Sequence, residues 1–265
     1  MKSTVSAVAL VALVAGAAFA RPPASVSTSA LIDDESGVVR GPNSYSTGFE
    51  APAFAVGVLE PQGGWSTSGV SLPWASVSSV FPAAGTQHQR QVRDTTFGPG
   101  TARLAFGPAS GAVGFGASTT SFDFAISNTG GADTDVIGQA PTQALLSWRI
   151  NFSYLGPISV LDDGGFGLGF VNTGAVWTPG AYQNMRVEMD PALDTLRYFL
   201  NNVLIYTGVA GVFAGTSVEQ FVTLNDNFQL TGETFDLDNV SIVPTPGAIA
   251  LLGLGGLAAA RRRRN

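Results

Sequence analysis

Two carboxylates about 5 Å apart can cleave a glycosidic bond by the retaining route. Alternate residues of a strand share a face, so Glu188-Met189-Asp190 has the spacing for such a pair. Glu233, Asp236 and Asp238 come close to the same pattern. Asp190 runs straight into Pro191, and acids beside a proline turn are ordinary turn formers. The spacing therefore reads as a strand end, and no catalytic residue is assigned.

Hard oxygen ligands are a second candidate chemistry. Asn225-Asp226-Asn227, Asp162-Asp163-Gly164 and Asp236-Leu237-Asp238-Asn239 supply them near loops. Calcium draws about six to eight oxygens from separated segments. Asp226 and Asp238 are the preferred ligand pair for a structural calcium, the one cofactor considered; Asx-turns are the plainer reading of all three stretches.

Aromatic rings that stack on sugars are the third. Trp177 lies in Thr173-Gly174-Ala175-Val176-Trp177-Thr178-Pro179-Gly180, which reads as a loop with polar neighbours, and Tyr182 follows closely. These two are the candidate glycan-binding residues, because loops carry binding side chains more often than alternating strands do. Trp148, on an alternating strand, is expected in the core. His88 is the sole histidine, with no nucleophile elbow to serve, and reads as a solvated strand-edge residue. Gly111–Gly116 lacks the Lys and the helix of a phosphate loop.

The elements that must position these side chains are strands. Of 265 residues only 12% are charged, 33 are glycine and none is cysteine. Short apolar runs recur between Gly, Pro, Asn and Asp, and no amphipathic helix of normal length appears. Expected strands are 45–50, 64–72, 75–80, 89–94, 101–106, 121–127, 145–154, 166–171, 184–189, 196–200, 203–207, 219–224 and 234–243. In Trp148-Arg149-Ile150-Asn151-Phe152-Ser153-Tyr154 the apolar and polar residues alternate cleanly. In 234–243 they alternate less tidily. Asp190–Asp194 suits a type I turn and Asn201-Asn202 a two-residue hairpin turn. The fold class is all-β, an antiparallel β-sandwich or jelly roll spanning 41–243.

The two ends carry different signals. Lys2, the apolar run Val5–Ala18, the small-x-small site Ala18-Phe19-Ala20 and then Arg21-Pro22-Pro23 form a secretory signal peptide over 1–20, which implies Sec-type export. Residues 21–40 read as a linker or loose first strand. At the other end Pro244-Thr245-Pro246 is held extended by its prolines. Thirteen apolar residues follow, Ala248–Ala260, and then Arg261, Arg262, Arg263 and Arg264. As a helix that run reaches roughly 20 Å, short of the ~30 Å hydrocarbon core. It suits transient membrane insertion, with the arginines retained on the cytoplasmic side. Setting aside Lys2 and these four arginines leaves eight cations against 19 carboxylates. A surface of that sign repels phosphate backbones, which argues against nucleic acid as a partner.

The order of proline motif, apolar helix and arginine cluster over 244–265 resembles a PEP-CTERM sorting signal, with Thr245 standing where that family has glutamate. The resemblance implies a bacterial exported protein, processed near Pro244–Pro246 by an exosortase-type membrane protease and associated with exopolysaccharide. A second resemblance joins Asn184–Asp190, Leu196–Asn202 and Phe235–Ile242, with Gly48-Phe49-Glu50 and Gly63-Gly64-Trp65, to the closing and opening strands of concanavalin-like jelly rolls. Laminarinase-like members carry Glu-x-Asp followed by another Glu on the same strand, which is missing after Asp190. The expected function is a non-catalytic cell-surface or matrix protein that binds extracellular polysaccharide. A divergent glycan hydrolase and a purely structural surface protein are the alternatives.

Overall fold

A computed structural model describes residues 44–68, 74–92, 103–109, 117–143, 145–163, 167–209, 217–226 and 232–244. The signal-peptide reading with Ala18 and Ala20, the linker, Thr245, Pro246 and Arg261–Arg264 all lie outside them. The described residues form sixteen strands: β1 Tyr45–Thr47, β2 Gly57–Val58, β3 Ser66–Ser68, β4 Ala75–Ser78, β5 His88–Val92, β6 Arg103–Phe106, β7 Ser118–Ile126, β8 Asp133–Ala140, β9 Leu145–Phe152, β10 Pro157–Asp163, β11 Leu168–Val176, β12 Gln183–Asp190, β13 Thr195–Leu200, β14 Val203–Gly208, β15 Gln220–Asp226 and β16 Thr234–Pro244.

They pair into two antiparallel sheets. The nine-stranded sheet runs β14-β13-β12-β7-β16-β5-β4-β2, with β1 also on β16. The seven-stranded sheet runs β11-β10-β9-β8-β15-β6-β3. Alternation explains the facing. On β12, Met185, Val187 and Met189 are buried while Arg186, Glu188 and Asp190 are partly exposed, as period two requires of a strand with one dry side. Phe122 and Phe124 from β7, Phe235 from β16, Phe152 from β9 and Phe221 from β15 meet between the sheets at ring-centroid separations of 4.4–6.5 Å. Trp148 is fully buried there, as expected. Gly138, beside it on β8, leaves room that a Cβ would take from the indole.

A polar bridge also crosses the core. Gln91 Nε2 donates to Thr223 Oγ1 at 2.6 Å, Asn225 Nδ2 donates to Gln91 Oε1, and Thr134 Oγ1 donates to Asn225 Oδ1 at 3.0 Å. The turns behave as their residues dictate. Asp190 Oδ1 accepts from the Ala192 and Leu193 amides. Asn201 and Asn202 have φ of 50° and 65°, the left-handed pair of a tight hairpin.

Three strands are additions to the expectation: β2, β8 and β10. β8 is buried along nearly its whole length on both sides, so it shows no alternation to read. The untidy 234–243 stretch has a cause as well. β16 carries a bulge between Asp238 and Ser241, with Asn239 at φ 48°. A bulge advances the pattern by one residue and re-aims a side chain.

Candidate functional site

The outer side of the nine-stranded sheet gathers the polar residues that alternation turns away from the core. Asn184 on β12, Asp123 on β7 and Asp238 on β16 are neighbours in register across three strands. Asp123 is the middle member. Its Oδ1 accepts from Asn184 Nδ2 at 2.8 Å and its Oδ2 from Asn239 Nδ2 at 2.7 Å. The bulge is what brings Asn239 to this side. Two amides thus fix the carboxylate, and the three side chains, all partly exposed, form a polar strip.

A loop, residues 79–87, folds over one end of the strip and is clamped from beneath. Asp238 Oδ2 accepts the backbone N–H groups of Ala83 and Ala84 at 3.0 and 3.2 Å. Glu50 accepts from the Thr86 amide and hydroxyl and from the Gln87 amide, at 2.6–2.9 Å. Arg90 Nη2 donates to the Val80 carbonyl at 3.0 Å, and the same guanidinium grips Asp236 through Nε at 2.6 Å and Nη2 at 3.1 Å. Burial pushes the Asp238 carboxyl up to about 6, against the pull of its backbone donors. Burial also acts to raise Glu50, but the Thr86 and Gln87 bonds prevail and hold it below its ordinary value.

The clamp holds Phe81 in a conformation it would not choose. Phe81 has φ 69°, costly for a bulky side chain and kept only where the surroundings impose it. Its ring is half exposed and lies on Tyr182, centroids 5.2 Å apart and planes 28° apart. The Tyr182 hydroxyl is buried without a hydrogen-bond partner among the described residues. Burial, then the nearby Asp236 and Asp238, raise its pKa well above the usual phenol range. Among the described residues three non-glycine residues outside the hairpin turns have positive φ, Phe49, Phe81 and Asn239, and the last two stand here.

The sequence-based candidates fare unequally. Tyr182 belongs to this site. Trp177 does not: it is 3% exposed, packs into the core and donates its Nε1–H to the Ser153 carbonyl at 2.9 Å. The loop reading of 173–180 holds only from Trp177 onward, because Thr173–Val176 belong to β11, and the buried indole has no face free for a sugar. His88 is likewise fully buried, with Nε2 3.1 Å from Asp236 Oδ1, instead of solvated at an edge. Asp226 and Asp238 stand in different sheets, Asp226 opposite Asp133 and Asp238 opposite Asp123. The structure therefore does not join them as a calcium pair, and among the described residues no cluster of three or more acidic or histidine side chains could hold a metal. Glu188 is shared between Arg186 and Arg197, the latter at 2.8 Å, while Asp190 bonds turn amides. Sequence reasoning passed over Phe81 and Asp123, and weighed Asn239 only within a stretch of possible calcium ligands. Phe81-Pro82 in a small-residue loop was the available signal, hidden because only Trp and Tyr were weighed.

No family model matches the chain, and no curated protein matches it by sequence. Solved structures do resemble it in fold. A sialidase superposes with a TM-score of 0.51 at 13% identity, over 68% of this chain and 17% of its own. Arcelin-5, a lectin-like defense protein from Phaseolus vulgaris, gives 0.47 at 13% identity, over 75% and 96%. The carbohydrate-binding module CBM66 from Bacillus subtilis gives 0.42 at 12% identity, over 68% and 95%. The chain thus spans about a sixth of the sialidase it matches, and that likeness shows the sandwich fold.

Proposed function

We propose that this protein is an exported, non-catalytic β-sandwich of the jelly-roll type that binds polysaccharide on the outer side of its nine-stranded sheet. The observation that carries the reading is the Phe81–Tyr182 stack beside the Asn184–Asp123–Asn239 strip. An exposed ring supplies the apolar surface that a sugar's C–H face covers, and adjacent amide and carboxyl groups meet its hydroxyls. The strained loop supports the assignment, since such strain clusters at binding sites.

A catalytic role is disfavoured by the neighbours of Glu188. Arg186 and Arg197 already engage its two oxygens, and Asp190, two residues on, is spent on turn amides, so the two carboxylates are not free to act as a pair. Export rests on the sequence signals: a Sec-type leader ending at Ala20, and a sorting signal at Pro244–Pro246 that an exosortase-like protease would process after transient insertion of the apolar tail.

Affinity electrophoresis tests the binding. Gels containing laminarin, hydroxyethylcellulose, chitosan, alginate, dextran or levan are run with the native protein and with Phe81→Ala. At least one polysaccharide retards the native protein and loses its hold on the variant; no retardation by any of them removes the reading. Release of reducing sugar from the retained polymer, abolished in Glu188→Gln, would instead establish a hydrolase. Intact mass of the mature protein, expected to begin at Arg21 and end near Pro244–Pro246, tests the export reading.

A further inference from the structure

We infer that the polysaccharide is gripped as a chain running along β12, from Phe81–Tyr182 to a second contact at Arg186–Phe199, and not by one terminal sugar. This rests on the reading of Phe81–Tyr182 as a glycan site and adds to it the form of the ligand.

Asn184 and Arg186 are spaced by two and so share one side of β12, and Tyr182 stands immediately before the strand begins. Arg186 is paired with Phe199 of β13, and its guanidinium carbon lies 4.0 Å from the centre of that ring. Both side chains are partly exposed. Phe199 is therefore a second aromatic on the outer side of the sheet, where strand alternation would favour a polar residue. Glu188, bonded to Arg186 and Arg197, holds the guanidinium over the ring.

Four residues of extended chain separate Tyr182 from Arg186, roughly 13 Å at the usual strand rise. One sugar ring cannot touch both, whereas consecutive rings of a polymer can. The ground between them is polar: Asn184 on β12 pairs with Asp123 on β7, and Ser121 on β7 pairs with Arg186. Asn184, Asp123 and Ser121 are all partly exposed and carry groups that can bond sugar hydroxyls.

Calorimetry on di-, tetra- and hexasaccharides cut from the retained polysaccharide tests this. The hexasaccharide binds about ten-fold or more tightly than the disaccharide, since a second aromatic contact is worth that much. Phe199→Ala removes most of the gain and leaves the disaccharide unchanged; Phe81→Ala weakens both. Phe199→Leu, which keeps the bulk of the side chain, serves if the alanine variant unfolds, and far-ultraviolet dichroism checks each fold. Equal affinity at every length, or a hexasaccharide indifferent to Phe199, overturns the chain while leaving the site intact. Indifference to Phe81 overturns the site itself.

Discussion

The outer sides of the two sheets use polar residues to opposite ends. Under the nine-stranded sheet's loop, Asp238 and Glu50 spend their oxygens on backbone N–H groups that position an exposed ring. On the seven-stranded sheet, Leu104, Phe106, Ile137, Val222 and Leu224 form a buried apolar cluster separate from the main core. At its border Arg149 donates through Nε to Asp135 Oδ2 at 2.7 Å, Asn151 Nδ2 donates to Asp135 Oδ1 at 2.6 Å, and Phe170 lies 5.2 Å from the guanidinium. Burial raises the Asp135 pKa in spite of Arg149. That pair is buried on the outer side and satisfies itself. An aromatic with a cation beside it occurs on both sheets, so the pairing alone does not mark a site. What distinguishes the nine-stranded side is a loop held under strain to present Phe81.

Substitutions on the two sides should separate stability from binding. Arg149→Met leaves Asp135 buried without its cation and should cost about 3–5 kcal/mol in urea denaturation, with polysaccharide retardation unchanged in the folded fraction. Loss of retardation there would erase the contrast. Asp238 gives the next effect, and its sign is set by a carboxyl raised from 3.8 to about 6. Its contribution to stability is fully present below about pH 4 and is lost as pH rises through about 6. Ionised Asp238, however, makes the stronger bonds to Ala83 and Ala84. Thermal stability attributable to this group should fall from pH 4 to 7 while polysaccharide binding rises, and Asp238→Asn should flatten both curves. Parallel movement of the two would contradict the clamp.

Phe81→Gly should relieve the left-handed strain and stabilise the protein by about 1 kcal/mol while abolishing retardation. A glycine variant that still binds would move the site elsewhere. Arg197→Ala, at an exposed ion pair, should change stability by less than about 1 kcal/mol. Its informative readout is whether hexasaccharide affinity drops as Arg186 loses its shared partner.

Much of the frame was legible because period two is visible wherever one side of a strand is dry. β9 and β12 could be read directly from Ile150, Phe152, Val187 and Met189. β8 could not, because Val136, Ile137, Gly138 and Gln139 are all buried and two buried sides leave no alternation. Trp177 and Phe81 show the limit for side chains. Both sit in loops, yet Trp177 turns into the core and Phe81 turns out. The difference is made by Asp238 and Arg90, which contact the loop from more than a hundred residues and from ten residues away. The Asp123–Asn239 bond depended on a bulge, which moves one residue across the sheet without leaving a mark in composition.

The polar bridge between the sheets has a mechanical consequence. Stacked phenylalanines resist separation but tolerate sliding, because dispersion has little direction. Gln91 makes directed bonds across that plane to Thr223 and Asn225, and Thr134 braces Asn225 from within its own sheet. A polymer held along β12 as proposed would load the two layers in shear, and the Gln91 bonds to Thr223 and Asn225 would act as the dowel that keeps one layer from slipping over the other.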